Sequence, residues 1–319
     1  MNVIAFVEKK NLATVYIGKT KEGKVIEFVE SIQPPIPREK KWVLIVSVSF
    51  GCPVKCLMCD AGSNYQGQLS KEEIIEQIDY IISNRFPGRV VPIPKFKIQF
   101  ARMGEPAFNE NVVSVLEELP LRYDAPGLLP CISTIAPLGT DRFFERLLQM
   151  KREKYLGGHF QLQFSIHTTD EKLRDELIPI KKWSFERIAD YGKQFYGKGD
   201  RKITLNFAMG KGIPVVPKIL YNYFSSDKFL IKITPINPTY GAVKNKLVSY
   251  IEPHNEQKRY GIIEDLKSLG YDVLLSIGEL EENQIGSNCG QYIMESLNAK
   301  EAIEGGYTLS NRKFQISKL

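Results

Sequence analysis

The chain reads as an α/β protein built on a partial TIM-type barrel of six βα units, with a small N-terminal β-hairpin and a C-terminal extension. Two observations lead there. Short strands alternate with helical stretches along most of the 319 residues, the order that builds a parallel sheet. The strands also keep one polar face, whereas a parallel sheet covered on both sides is apolar on both. A closed eight-stranded barrel fills its centre with branched apolar side chains. A polar inner face over six strands therefore points to an open barrel with a wet, ligand-filled interior. The alternative, an antiparallel sheet with one solvated face, is disfavoured by the helices between the strands.

The six strands are read at 43–49, 95–100, 131–135, 160–167, 202–208 and 229–237, from runs such as "VLIVSVS" and "KFKIQF". Lys95, Lys97 and Gln99 alternate with Phe96, Ile98 and Phe100, and Gln161, Gln163, Ser165 and His167 with Phe160, Leu162, Phe164 and Ile166. The first connecting helix opens on Ser70 and Glu73, the spacing of a capping box, and Ile74, Ile75, Ile78, Ile81 and Ile82 form its apolar stripe. Further helices are expected over 109–119, 139–152, 184–196 and 254–269. The chain divides accordingly into an N-terminal hairpin and proline-rich linker (1–41), the barrel (42–240) and a C-terminal extension (241–319).

With 43% hydrophobic and 25% charged residues, the composition is that of an ordinary soluble globular protein. No run approaches the roughly 20 apolar residues of a membrane span, so a cytoplasmic location is expected. The net charge of +6 permits an acidic or nucleic-acid partner without demanding one. Five cysteines, an odd number, argue against a disulfide framework. Cys52, Cys56 and Cys59 follow the first strand as C-x3-C-x2-C. In a βα barrel that position is the catalytic rim. Structural zinc takes four ligands, usually as two separated pairs, so a lone triplet needs a remote fourth. Three thiolates on one loop suit a four-iron four-sulfur (4Fe-4S) cluster with one iron left open. One βα unit later comes "MGEP", residues 103 to 106. There, glycine permits close backbone approach and a carboxylate can receive an ammonium.

The stretches "GCPVKCLMCDAG", "MGEPAFN", "CISTIAP", "SIHTTDEKLRDELIPI", "ITPINPTYGA" and "NCGQY" resemble, in order and spacing, the RlmN and Cfr family of radical S-adenosylmethionine (SAM) enzymes, which methylate adenine carbons of RNA. The resemblance covers about residues 20 to 295. It implies a radical SAM core with the cluster on Cys52, Cys56 and Cys59. SAM would be held by Gly104, Glu105, Ser133, Ser165, His167 and Asn237. It also implies that Cys289 carries the methyl group, that Glu27 accepts a proton, and that an external one-electron reductant of flavodoxin or ferredoxin type is needed. Strand parity agrees for Ser165 and His167, which fall on the polar face. Read without the resemblance, Glu27 is a surface strand residue.

Two departures bear on the substrate. Where the family carries a further cysteine, seven residues before the first cluster cysteine, this chain has Ile45 on the inward face of its strand, and an alkyl group cannot exchange thiols. The chain also begins almost at the hairpin, without the family's preceding helical domain, and "GKGIPVV" and "GQLS" replace substrate-loop segments. The expectation is a radical SAM enzyme that methylates, or transfers a methylene to, an sp2 carbon through Cys289, its substrate a small molecule or RNA. RNA adenine methylation, a radical SAM reaction without methyl transfer, and a zinc-stabilised RNA-binding protein are the alternatives.

Overall fold

The computed structural model describes residues 1–255 and 258–288. Its strands are β1 (Asn2–Lys9), β2 (Ala13–Lys19), β3 (Val25–Ser31), β4 (Lys41–Val46), β5 (Ser49–Phe50), β6 (Gly67–Gln68), β7 (Lys95–Phe100), β8 (Leu128–Thr134), β9 (Gln161–Ser165), β10 (Ile203–Met209), β11 (Phe229–Pro235) and β12 (Val273–Leu275). Ten of them hydrogen-bond in one sheet, ordered β1-β2-β3-β4-β7-β8-β9-β10-β11-β12, while β5 and β6 form a separate pair. From β4 to β12 every pairing is parallel. The sheet does not close on itself among the described residues, so the barrel is partial.

All six expected strands are present, and the short β12 adds a seventh parallel strand beyond them. The expected N-terminal hairpin is a three-stranded antiparallel meander: β1 pairs with β2, β2 with β3, and β3 with the edge of β4. The extra strand follows from "NVIAFVEK", whose buried Val3 and Val7 give it a face to pack. The last strand is shorter than read. It ends at Pro235, because proline offers no N–H to continue the ladder, and Asn237 lies in the loop beyond.

The helices are α1 (Lys71–Arg85), α2 (Asn111–Arg122), α3 (Asp141–Lys154), α4 (Glu171–Leu177), α5 (Phe185–Phe195), α6 (Pro217–Tyr223), α7 (Tyr240–Lys244), α8 (Gly261–Ser268) and α9 (Leu280–Gln284). In α1 the capping box is complete: the Ser70 hydroxyl accepts from Glu73 N at 3.1 Å, and the Glu73 carboxylate accepts from Ser70 N at 2.9 Å. The isoleucines of α1 are buried together with Trp42, Leu44 and Val46 of β4 and Phe96, Ile98 and Phe100 of β7. The strand residues between them, Lys41, Val43, Ile45, Lys95, Lys97 and Gln99, are half-buried. The helix-covered face is thus the apolar core, and the opposite, concave face is the polar one.

Candidate functional site

Strand β4 delivers the cysteine loop to the C-terminal rim of the sheet. Gly51 begins the loop at φ 74°, and a Cβ there would lie 2.3 Å from the Asn64 carbonyl oxygen, so the turn requires glycine. Beneath the loop, Val54 packs with Ile135, Leu177 and Ile178, and the half-buried Cys52 and Cys56 border that cluster. Several contacts fix its far end. Asp60 accepts from Gly241 N at 2.7 Å and Tyr240 N at 3.1 Å, the Thr239 hydroxyl donates to Met58 O at 2.9 Å, and Asn245 Nδ2 donates to Leu57 O at 2.9 Å.

Strand β7 delivers the second motif beside the first. Met103 O accepts from Val48 N at 2.8 Å and Ser49 N at 3.2 Å, which ties the two rim segments together. Gly104, at φ 102°, passes so close to Ser49 that a Cβ would stand 2.0 Å from its Oγ. Glu105 is buried. Its Oε1 accepts from Ala107 N at 3.0 Å and from the Thr134 hydroxyl, and its Oε2 from Ile135 N at 3.0 Å. These donors favour the ionised form, but burial outweighs them and pushes the carboxyl up to about 7. Burial likewise pushes Cys52 up to about 11, with the Glu105 charge adding and backbone N–H groups, Gly104 among them, pulling the other way. Cys56 rises to about 12 through burial, then through the charges of Cys52 and Glu105. The site therefore gathers three groups that would be anions and presses each toward neutrality.

The remaining predicted residues lie on or near the inner face. Ser133 accepts from Gln163 Nε2 at 2.7 Å. Ser165 ends β9, half-buried, in register with Asn206 of β10. His167 is buried at φ 66°, and its Nδ1 accepts from Ala208 N at 3.0 Å, which leaves the proton of the neutral ring on Nε2. Burial, and after it the Arg174 guanidinium, hold His167 down to about 4. Asn237 is half-buried, its carbonyl accepting from Thr239 N at 2.9 Å.

The surface reading of Glu27 is corrected: the residue is fully buried on β3. Arg102 Nη2 donates to its Oε2 at 2.5 Å, and Arg102 Nη1 donates to Ser287 O at 3.3 Å. Arg102, two residues after β7, thus joins the meander, the rim and the C-terminal segment. Cys289 lies outside the described residues.

The residues present suit a cluster and SAM in three respects. Three cysteine thiols share one rim loop, and the neutral-leaning thiols of Cys52 and Cys56 and the buried Glu105 carboxyl suit a group that brings positive charge. Asn206 Oδ1, buried beside Ser165, has no hydrogen-bond partner among the described residues, an acceptor open to a ligand. Among the described residues no three His, Cys, Asp or Glu side chains are arranged to hold a metal ion.

Sequence reasoning missed Arg102, Asp60, Thr134, Arg174 and Asn206. Asp60 and Thr134 flank motif residues. Arg174 sits in the "DEKLRDEL" helix, where it reads as a solvated charge, yet it is buried, donates to Trp183 O at 2.9 Å and lies over the Phe185 ring.

No family model matches the chain. Among curated proteins it is 27% identical over 198 residues to a "Probable dual-specificity RNA methyltransferase RlmN" of Synechococcus sp. (strain CC9311), covering 61% of this chain and 53% of that protein. A protein of the same description from Thermotoga sp. (strain RQ2) is 27% identical over 232 residues, covering 71% and 62% respectively. The chain thus spans between half and two thirds of the length of these relatives. Among solved structures, a radical SAM methyltransferase from Sphaerobacter thermophilus matches with a TM-score of 0.68 at 19% identity, covering 91% of this chain and 80% of that one. The fold is the one this radical SAM methyltransferase has. In sequence the chain is RlmN/Cfr-like, similar to the RlmN proteins over the residues matched. No helix among the described residues is long and apolar enough to cross a membrane.

Proposed function

We propose that the protein is a radical SAM enzyme that methylates, or transfers a methylene to, an sp2 carbon through Cys289. Cys52, Cys56 and Cys59 would hold a 4Fe-4S cluster, and Gly104, Glu105, Ser133, Ser165, His167 and Asn237 would hold SAM. The observation that carries this reading is the meeting of two motifs on one rim: "MGEP" is hydrogen-bonded to the segment leading into the cysteine loop, and the Glu105 charge acts on both Cys52 and Cys56. When bound, the cluster and SAM supply one-electron cleavage of SAM, radical chemistry that no protein side chain provides.

The chain's own residues supply position and charge. Glu105, fixed by three donors, would receive the SAM ammonium, and Gly104 lets that group approach the backbone. The neutral His167 can donate from Nε2 into the site without adding charge. Arg102 fastens Ser287, two positions before Cys289 in the sequence, to the rim, which supports delivery of the thiol from that side. Glu27 pairs with the same guanidinium, which fixes the carboxylate on β3 in its proposed part as proton acceptor. An external one-electron reductant completes the scheme. RNA enters as a substrate class only through the relatives' names.

Peptide mass spectrometry of protein expressed in cells tests the methyl route. Cys289 is expected to carry one added methyl, absent from a Cys56→Ala variant, and Cys289→Ala should abolish methyl transfer while sparing reductive SAM cleavage. An unmodified Cys289 together with full methyl transfer by Cys289→Ala would overturn it.

A further inference from the structure

The inner face of the barrel carries a second polar centre, below the rim. Strand parity places Lys41 of β4, Lys95 and Lys97 of β7 and Lys232 of β11 on this face, each half-buried. The parallel register sets Lys41 directly beside Lys95, on strands about 4.8 Å apart. Like charges placed so destabilise a sheet. Curvature brings in further cations. In a flat sheet β11 would lie five strand spacings from β4, about 24 Å. Yet the Lys232 charge acts on Lys41, and that of Arg201, at the foot of β10, acts on Lys95. Buried Cys131 stands among these groups, within electrostatic reach of Lys97, Arg201 and Lys232.

Among the described residues Lys41, Lys95 and Lys97 make no ion pair, and Lys41 donates to a neutral partner, Gln33. The charges that act on Lys95 are Lys97, Arg201 and Cys131, with no carboxylate among them. Burial first, then the neighbouring lysines, hold Lys41 down to about 8 and Lys95 below its ordinary range. Above them Gln99 and Gln161 continue the face on either side of Cys131, and Gln163 beside Ser133 carries it toward the rim. A fold keeps mutually repelling, partly desolvated cations at a cost in stability, the pattern of a site shaped for a ligand rather than for packing.

We infer that this lower inner face binds the phosphate or diphosphate group of a small phosphorylated substrate, with Lys41, Lys95 and Lys97 as its ligands and the rest of the molecule directed up toward the rim. Several converging point charges suit a compact anion bearing more than one charge better than a single carboxylate. They also suit it better than the RNA backbone, whose phosphates are singly charged and spaced along a chain. The site names a substrate class for the chemistry proposed above, and to that extent rests on it.

The probe is inorganic pyrophosphate, titrated calorimetrically into the full chain and followed by thermal melting. Binding is expected to weaken by at least about tenfold in a Lys95→Gln/Lys97→Gln variant. It should hold in a control with the exposed Lys172 and Lys198 both changed to Gln. Without ligand, the inner variant should melt at or above the unmodified protein, because a repulsion has been removed. Unchanged binding in the inner variant, or equal weakening in both variants, would overturn the site. A single-stranded RNA oligonucleotide with hydroxyl ends should fail to displace pyrophosphate, and displacement at equal phosphate concentration would overturn the small-molecule assignment. Pyrophosphate binding needs no cluster, so loss of iron or of SAM cleavage in the same preparation would count against the rim chemistry alone.

Discussion

His167 shows how one side chain reports its surroundings. Its ring is buried, accepts a backbone N–H at Nδ1 and lies near the Arg174 guanidinium, so the folded state binds a proton only near pH 4, against 6.5 for the exposed ring. Between those values the unfolded chain holds more protons, and stability rises with pH. The contribution is complete above about pH 6.5, is lost as the pH falls toward 4, and amounts to about 3 kcal/mol. Urea melts of the protein and of His167→Asn, an acceptor that tolerates positive φ, should therefore diverge with pH. The gap is expected to be wider at pH 7 than at pH 4.5, and an equal gap at both would show that the ring is not held neutral. The position was legible because parity and motif agreed. Arg102 was not, since its partners Glu27 and Ser287 lie 75 and 185 residues away and nothing in "ARMGEP" announces a buried cation.

At the scale of elements, legibility followed the strength of the local code. Helix α1 announced itself through a cap and an isoleucine stripe, and its start falls where the cap puts it. Ser70→Ala should cost about 1 kcal/mol by removing one acceptor of the capping box. In a chain of this size that is a fall of about 1–2 °C in melting temperature. Calorimetry showing no change would mean that packing alone sets the start of the helix. By contrast β12 is three residues long, and α6 has one fully buried side chain, Leu220, so neither offers a period to detect. The N-terminal region was read as two strands rather than three, and the alternation of β1 is broken by a register shift between Val3 and Ala5. Helix α4 did carry a signal, Asp170 as N-cap accepting from Leu173 N at 3.0 Å, inside a stretch noticed only for its resemblance to the family.

At the scale of the whole molecule, one division of labour accounts for most of the sequence. Each parallel strand gives its outer side chains to a helix-covered core, and the inner ones form a polar surface that runs from the lysine-rich foot to the thiol-rich rim. The alternation of "KFKIQF" disclosed that surface. What it could not disclose was curvature, which brings Lys232 within electrostatic reach of Lys41 across the width of the sheet. The rim is the centre of the account, and metal content tests it most directly. After anaerobic reconstitution with iron and sulfide, the full chain should bind a 4Fe-4S cluster whose paramagnetic signal appears on reduction with dithionite and changes when SAM is added. A colourless protein that holds zinc, or an iron signal that SAM leaves untouched, would contradict it.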